Sequence, residues 1–169
     1  GELASRVAVE YISDSIERDA QDLILPEKRH ETLRRIVQGT NAAVYQKSLE
    51  VPEAIGMGTT LTMAVLTHSD ITVAHVGDSR LYIVRDETIR QITEDHSYIE
   101  ELIKQGTITR DEAENHPQKN IITRAVGSSL DIDIDITSME IASGDIFVLC
   151  TDGLTNMVSP DQILKTVLE

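Results

Sequence analysis

Residues 59–92 read TTLTMAVLTHSDITVAHVGDSRLYIVRDETIRQI, and this stretch decides the fold class. It contains four short segments rich in β-branched residues, at positions 59–67, 71–76, 81–84 and 88–92. Polar joints of two or three residues separate them, whereas a parallel crossover needs about a dozen residues or more. The stretch therefore predicts antiparallel strands that follow one another as a four-stranded meander.

Helical patterns lie on both sides of these strands. Apolar residues recur at helical spacing over residues 2–20, and a second amphipathic helix is expected from Pro26 to just before Val51. Residues 98–104 and 109–115 are also helix-like. The order of helices, strands and helices predicts an α/β domain of the α+β type with an antiparallel sheet.

Two further strands and a last helix are predicted towards the end of the chain. Residues 131–137 alternate Asp and Ile, which indicates a half-buried strand with one acidic face. Residues 145–151 form an apolar run, which we interpret as a fully buried central strand. Ser159 and Gln162 match a capping box, with Pro160 as the first residue of the helix that follows.

Composition excludes several classes of protein. The 169 residues include 29 acidic and 15 basic side chains, which give a net charge of −14. Such an excess of acid argues against binding to nucleic acid or to anionic lipid. No apolar stretch approaches the ~20 residues that span a bilayer, so no membrane insertion is expected. The single cysteine excludes an internal disulfide framework and does not argue against a reducing compartment. We expect no signal peptide and a cytoplasmic location.

Two aspartates are candidate metal ligands because of their positions at strand ends. Asp78 follows a strand and Gly77, and Asp152 follows the apolar run and precedes Gly153. A carboxylate at the end of a buried strand is costly unless it is hydrated, hydrogen-bonded or paired with a cation. If the two strand ends are neighbours, these carboxylates could share Mg²⁺ or Mn²⁺. The alternative is that Gly-Asp and Asp-Gly are simply turn dipeptides.

Other patterns do not carry a site. Asp131, Asp133 and Asp135 imitate the start of a calcium loop, but Ile136 and Ala142 stand where the loop needs Gly and Glu. The five histidines have no metal-ligand spacing, and no nucleophile-elbow sequence occurs. The residues alone therefore indicate an α/β domain with two aspartates at strand ends.

Five segments, taken in order, resemble the metal-dependent type-2C Ser/Thr protein phosphatases (the PPM family) of the compact bacterial kind. They are GTT at 58–60, AHVGDSR at 74–80, TEDHS at 93–97, ITRAVG at 122–127 and GDIFVLCTDGL at 144–154. Each is weak singly, but their shared order across most of the chain makes the resemblance specific.

The resemblance implies a four-layer αββα fold, an antiparallel β-sandwich flanked by helices. It implies two core Mn²⁺ or Mg²⁺ ions and a third, weaker one, with Asp152 on the second core ion and Asp78 on the third. Residues 97–120 match a flap subdomain beside the site. The implied activity is hydrolysis of phosphoserine and phosphothreonine by metal-activated water, on phosphorylated proteins and opposite a cognate Ser/Thr kinase.

The terminal motifs of that family, which carry further metal ligands, an arginine and a histidine, do not occur in residues 1–169. We therefore expect residues 1–169 to be a single phosphatase-like domain that is incomplete, truncated at both ends and inactive as a fragment. Exposed sheet edges then predict self-association. Two alternatives stay open: a degenerate phosphatase-like interaction module without catalysis, and a small-molecule phosphohydrolase.

Overall fold

A computed structural model of the chain describes residues 1–114 and 116–169. Asn115, which belongs to the predicted helix 109–115 and to the predicted flap 97–120, lies outside the described residues. The helices are α1 (Glu2–Ile24), α2 (Pro26–Glu50), α3 (Tyr98–Lys104), α4 (Arg110–Glu114), α5 (Asp152–Thr155) and α6 (Pro160–Leu168). The strands are β1 (Leu61–Leu66), β2 (Asp70–Val76), β3 (Arg80–Arg85), β4 (Thr88–Gln91), β5 (Asp135–Glu140) and β6 (Ile146–Cys150).

The contacts of the chain divide it into two compact units. Unit 1 comprises Gly1–Gly77 and Arg124–Glu140, and unit 2 comprises Asp78–Thr123 and Ile141–Glu169. Each unit contains one three-stranded antiparallel sheet, with the order β1-β2-β5 in unit 1 and β4-β3-β6 in unit 2. The prediction of antiparallel sheets combined with helices is therefore confirmed. Within the described parts of the chain, no helix is both long and apolar enough to cross a membrane.

Unit 1 is built on a hairpin of two long helices that packs against its sheet. Pro26 occupies the first turn of α2, where its missing N–H costs no hydrogen bond. Helix α2 then buries Leu33, Ile36, Val37 and Val44, which lie on one face at helical spacing. These side chains join apolar residues of β1, β2 and β5 in one core. Burying each such side chain stabilises the fold by roughly 1.5–3 kcal/mol.

The prediction of a single four-stranded meander is wrong. Strand β2 pairs with β1 on one edge and with β5 on the other, and β3 pairs in the same way with β4 and β6. Neither β2 nor β3 has a free edge, so the two cannot pair although three residues join them. Gly77 adopts a φ of 111° at this joint, a conformation that takes the chain out of the ladder of β2.

Two later strand predictions also need correction. The ladder between β2 and β5 begins only at Asp135, so residues 131–134 are not part of the strand predicted over 131–137. Ile134 is nevertheless buried, because alternation reports which side chains face the core and not which backbone groups pair. Strand β6 is not fully buried or central: it pairs with β3 at the end of its sheet, and Ile146 and Leu149 are 39% and 51% exposed.

Unit 2 centres on β3, whose residues from Leu81 to Val84 are all buried. Its last helix confirms the predicted capping box. The Ser159 hydroxyl accepts from the Gln162 backbone N–H at 3.3 Å, and the Gln162 side chain accepts from the Ser159 N–H at 3.0 Å. Two of the otherwise unpaired donors at the start of α6 are thereby satisfied.

Candidate metal site

A small cavity in unit 2, with a volume of about 50 Å³, contains both of the predicted aspartates. Its lining consists almost entirely of polar and charged side chains. These are Asp78, Arg80, Asp95, Ser97, Lys119, Asn120, Asp152, Thr155 and Asn156. A space of this size accommodates an ion or a few water molecules, whereas organic cofactors need pockets of about 300 Å³ or more.

Asp78 reaches the cavity from the turn between β2 and β3. The preceding Gly77 has a φ of 111°, and a Cβ atom at that position would lie 2.5 Å from the Thr60 Cγ2 atom. Glycine is therefore required here both by the backbone conformation and by the close approach of Thr60. Asp152 reaches the same cavity from a distant part of the sequence. It is the first residue of the short helix α5, which follows β6 after one intervening residue. The sheet pairing of β3 with β6 is what brings the two aspartates to one place.

The electrostatics of the cavity favour a bound cation. Burial raises the pKa of Asp78, and the neighbouring Asp152 carboxylate raises that pKa further, with Asp95 acting in the same direction. Each negative charge therefore makes the ionised state of Asp78 less stable than it is in water. A divalent cation would offset this repulsion, and carboxylate oxygens are ligands that Mg²⁺ and Mn²⁺ prefer.

The two carboxylates form only part of a metal site. Among the described side chains, those of residues 1–113 and 116–169, no group of three or more His, Cys, Asp or Glu is arranged to hold a metal ion. Magnesium and manganese keep several water ligands and are often bound through one or two carboxylates. Asp78 and Asp152 fit a partial ligand set of this kind.

A second pair of charged residues, Arg80 and Asp95, forms a network at the wall of the cavity. Arg80 Nε lies 2.9 and 3.0 Å from the two carboxylate oxygens of Asp95, and Arg80 Nη2 lies 2.6 Å from Asp95 Oδ2. Arg80 Nη1 also donates to the Tyr82 hydroxyl at 3.1 Å. Gln91 Nε2 donates to Asp95 Oδ1 at 2.9 Å. Burial opposes the charge of Arg80, but its hydrogen bonds to Asp95 raise its pKa overall.

Lys119 and Asn120 reach the cavity because the segment that precedes them returns to its starting point. The Tyr98 N–H donates to the Ile121 carbonyl at 2.9 Å, and the Thr123 N–H donates to the His96 carbonyl at 2.8 Å. An antiparallel bridge between Ser97 and Ile122 closes the same base. The segment predicted as a flap thus begins and ends beside the cavity.

The larger cavity in unit 1, of about 250 Å³, has a different chemistry. Arg29 lies in its wall with a side chain only 3% exposed, and its guanidinium donates to the carbonyls of Leu23 and Ile24 and to Asp70 and Thr72. Its donors therefore tie the end of α1 to β2. This cavity is a structural junction in which the charge of Arg29 is already neutralised.

The structure places both predicted site residues on one cavity, while their role as metal ligands stays a prediction. The sequence did not identify Thr155 and Asn156, which become neighbours of Asp152 only because α5 forms, nor a role for Arg80 and Asp95. Arg80 could have been noticed, since an arginine two residues after Asp78 begins the next strand. His75 is a satisfied core residue, 2% exposed and in hydrogen-bond contact with Thr62 at 2.9 Å.

Comparison with known proteins gives consistent matches over the whole chain. The family model described as Protein phosphatase 2C matches residues 1–169. The chain is 37% identical over 169 residues to the serine/threonine phosphatase stp of Listeria welshimeri. It is 46% identical over 112 residues to the protein phosphatase PhpP of Streptococcus pneumoniae, a match that covers 66% of this chain and 46% of that protein. The chain spans 66% of the length of the stp relative.

Solved structures agree with these matches. The serine/threonine phosphatase of S. agalactiae superimposes with a TM-score of 0.89 at 33% identity, covering 100% of this chain and 70% of that one. The catalytic domain of the serine threonine protein phosphatase PstP, solved in complex with two manganese ions, has a TM-score of 0.85 at 30% identity. That match covers 100% of this chain and 68% of the PstP chain.

Proposed function

Because the chain belongs to the protein phosphatase 2C family, we propose that the full-length protein is a Mn²⁺- or Mg²⁺-dependent phosphatase of phosphoserine and phosphothreonine in proteins. The observation that carries this proposal is the meeting of Asp78 and Asp152 on one cavity of unit 2. The similarity to PstP, which was solved with two manganese ions, supports the choice of metal.

In this proposal the chain's own residues hold and surround the metal site. Asp152 and Asp78 supply carboxylate oxygens, and the charge repulsion between them is relieved when a cation binds. When bound, divalent cations lower the pKa of a coordinated water, so that hydroxide is available near neutral pH for attack on a phosphorus atom. Lys119 and Asn120 bring the end of the flap to the same cavity, where a phosphorylated residue would enter.

We also propose that residues 1–169 alone are inactive. Two aspartates leave each ion with few protein ligands, and a metal site with few ligands binds weakly and is poorly ordered. The substrates proposed for the full-length protein are phosphorylated proteins, with a Ser/Thr kinase as the opposing enzyme and the cytoplasm as the location. The names of the stp and PhpP relatives support the phosphatase class.

A direct assay tests the proposal. The full-length protein and the 169-residue chain are incubated with a phosphothreonine peptide, in Mn²⁺ and in EDTA, and released phosphate is measured. We expect Mn²⁺-dependent release by the full-length protein and none by the 169-residue chain. Absence of release by a folded full-length protein would favour a non-catalytic interaction module. Faster release from sugar or nucleotide phosphates than from phosphopeptides would instead indicate a small-molecule phosphohydrolase.

A further inference from the structure

Among the residues that the structure describes, three carboxylates line the cavity of unit 2, and they differ in their hydrogen bonds. Asp78 and Asp152 are the proposed metal ligands, and Asp95 is the third. Asp95 is 13% exposed and forms the ion pair with Arg80, which also lines the cavity. From its position alone, this third carboxylate would be expected to bind the same cation, since three ligands bind a metal more tightly than two.

Hydrogen bonds to Asp95 already engage its two carboxylate oxygens. Its Oδ1 accepts from Arg80 Nε and Gln91 Nε2, and its Oδ2 accepts from Arg80 Nε and Nη2. These contacts come from three N–H donors, with the Arg80 Nε hydrogen shared between the two oxygens, so both oxygens of Asp95 are already engaged. The carboxylates of Asp78 and Asp152 lie outside this network.

Arg80 is itself held in place. Its Nη1 donates to the Tyr82 hydroxyl at 3.1 Å, two residues further along β3, so the guanidinium is fixed by contacts on two sides. A bidentate arginine–carboxylate pair has a defined plane and is stronger than a single hydrogen bond. Release of Asp95 towards the cavity would break this geometry, and the charge of Arg80 would still repel an approaching cation.

We infer that Arg80, supported by Gln91, withdraws Asp95 from cation binding and so limits this cavity to the two ligands Asp78 and Asp152. Arg80 is thus a positioning residue that keeps the affinity of the site for divalent cations low. A weakly held ion at this place can exchange with the solution. The inference rests on the proposed metal site, and its test measures binding of Mn²⁺ alone.

The test compares Mn²⁺ binding by variants of the full-length protein. Free Mn²⁺ is measured by electron paramagnetic resonance, and the binding component that Asp78→Asn removes is assigned to this cavity. In Arg80→Gln, Asp95 becomes available as a third ligand and a positive charge is lost, so we expect this component to tighten about tenfold. In the double variant Arg80→Gln/Asp95→Asn, the affinity should return to within about twofold of the parent protein.

A matched control separates this effect from a general change of net charge. Arg85 lies at the other end of β3 and pairs with Asp145, which does not line the cavity. Arg85→Gln changes the net charge by the same amount as Arg80→Gln, and we expect the Mn²⁺ affinity to stay that of the parent. Circular dichroism verifies that each variant is folded.

Several outcomes would overturn the inference. Unchanged or weaker Mn²⁺ binding in folded Arg80→Gln contradicts it. A tightening that persists in the double variant also contradicts it, since loss of the Arg80 charge alone would then explain the tighter binding.

If Arg80→Gln does not fold, Arg80→Lys replaces it, because lysine keeps the charge but cannot occupy both oxygens of Asp95. For Arg80→Lys we expect Mn²⁺ to bind two- to threefold more tightly. An unchanged Mn²⁺ affinity in this variant would overturn the inference. If Asp78→Asn removes no Mn²⁺-binding component, the proposed metal site itself is refuted. If such a component is present but Arg80→Gln leaves it unchanged, only the positioning role of Arg80 is refuted.

Discussion

Strand β3 begins and ends with an arginine that pairs with an aspartate, and the two ends have different surroundings. At the first end Arg80 holds Asp95, 15 residues away in the sequence, beside the cavity that contains Asp78. At the second end Arg85 holds Asp145, 60 residues away. Arg85 Nε donates to Asp145 Oδ1 at 2.7 Å, and Arg85 Nη2 donates to Asp145 Oδ2 at 2.6 Å. The ends are about 17 Å apart along a six-residue strand.

The difference lies in what the aspartate does besides the ion pair. Asp145 Oδ2 accepts from the Ala142 N–H at 2.8 Å and closes the turn that leads into β6. Asp95 accepts a hydrogen bond from Gln91 and lines a cavity together with two other carboxylates. The same pair of residue types therefore fixes a turn at one end of β3 and shapes the charge of a cavity at the other. Position relative to the cavity decides which effect matters for function.

The largest difference between the two ends should appear in phosphatase activity. In the full-length protein, Asp152→Asn removes one of the proposed metal ligands, and we expect activity on a phosphothreonine peptide to fall about a thousandfold, or ~4 kcal/mol. Asp145→Asn, the control at the opposite end, should change activity less than about twofold. Equal losses in the two variants would show that the assay reports folding rather than the site.

The next largest difference is between Gly77, which precedes Asp78 at the first end of β3, and Gly144, which precedes Asp145 at the second end. Gly77 and Gly144 both adopt positive φ angles, 111° and 93°, but a Cβ at Gly77 would meet Thr60 whereas the space around Gly144 is open. Gly144→Ala should therefore cost only backbone strain, about 1 kcal/mol, and Gly77→Ala about 3 kcal/mol because overpacking is added. Urea unfolding of the two variants measures both values. Similar costs would mean that Thr60 moves aside easily.

Removal of each aspartate tests the stability of the pairs themselves. Asp95→Asn leaves Arg80, which is 29% exposed, without its counter-charge, and we expect a loss of about 1–2 kcal/mol after allowance for solvent screening. Asp145→Asn leaves the more exposed Arg85, which water can solvate, so its loss should be the smaller of the two. The free energy of unfolding from urea titrations at pH 7 makes the comparison, and a larger loss in Asp145→Asn would contradict it.

The smallest expected effect is a dependence of the free energy of unfolding on pH, caused by Asp145 at the second end of β3. The hydrogen bond from Arg85 lowers the pKa of Asp145 to about 2, and the Ala142 N–H acts in the same direction. Since an unfolded aspartate has a pKa of about 3.9, this ion pair stabilises the folded state above that pH and stops doing so as pH falls towards 2. The stability difference between the parent protein and Asp145→Asn should therefore be larger at pH 6 than at pH 3. A difference that grows on acidification would refute this assignment.

Much of the local structure followed from the pattern of residues. The bounds of α2 and α3, the capping box of α6 and the first four strands were predicted because periodicity, Pro26 and Ser159 act within a few residues of chain. Strand pairing was predicted only in part: β1 pairs with β2 and β3 with β4, as the meander requires, but β2 and β3 do not pair. The short joint at Gly77 looked like a hairpin, yet β2 and β3 belong to different sheets because each uses both of its edges on other strands.

The candidate site shows the same division. Asp78 and Asp152 could be selected from the sequence, since a carboxylate beside glycine at the end of a strand is a local feature that a turn or a metal explains. Their meeting on one cavity depends on the pairing of β3 with β6, which joins residues about 70 positions apart in the chain. The withdrawal of Asp95 by Arg80 depends on side-chain geometry that no spacing encodes. Local patterns specify elements and candidate residues, whereas long-range pairing and desolvation fix which of those residues act together.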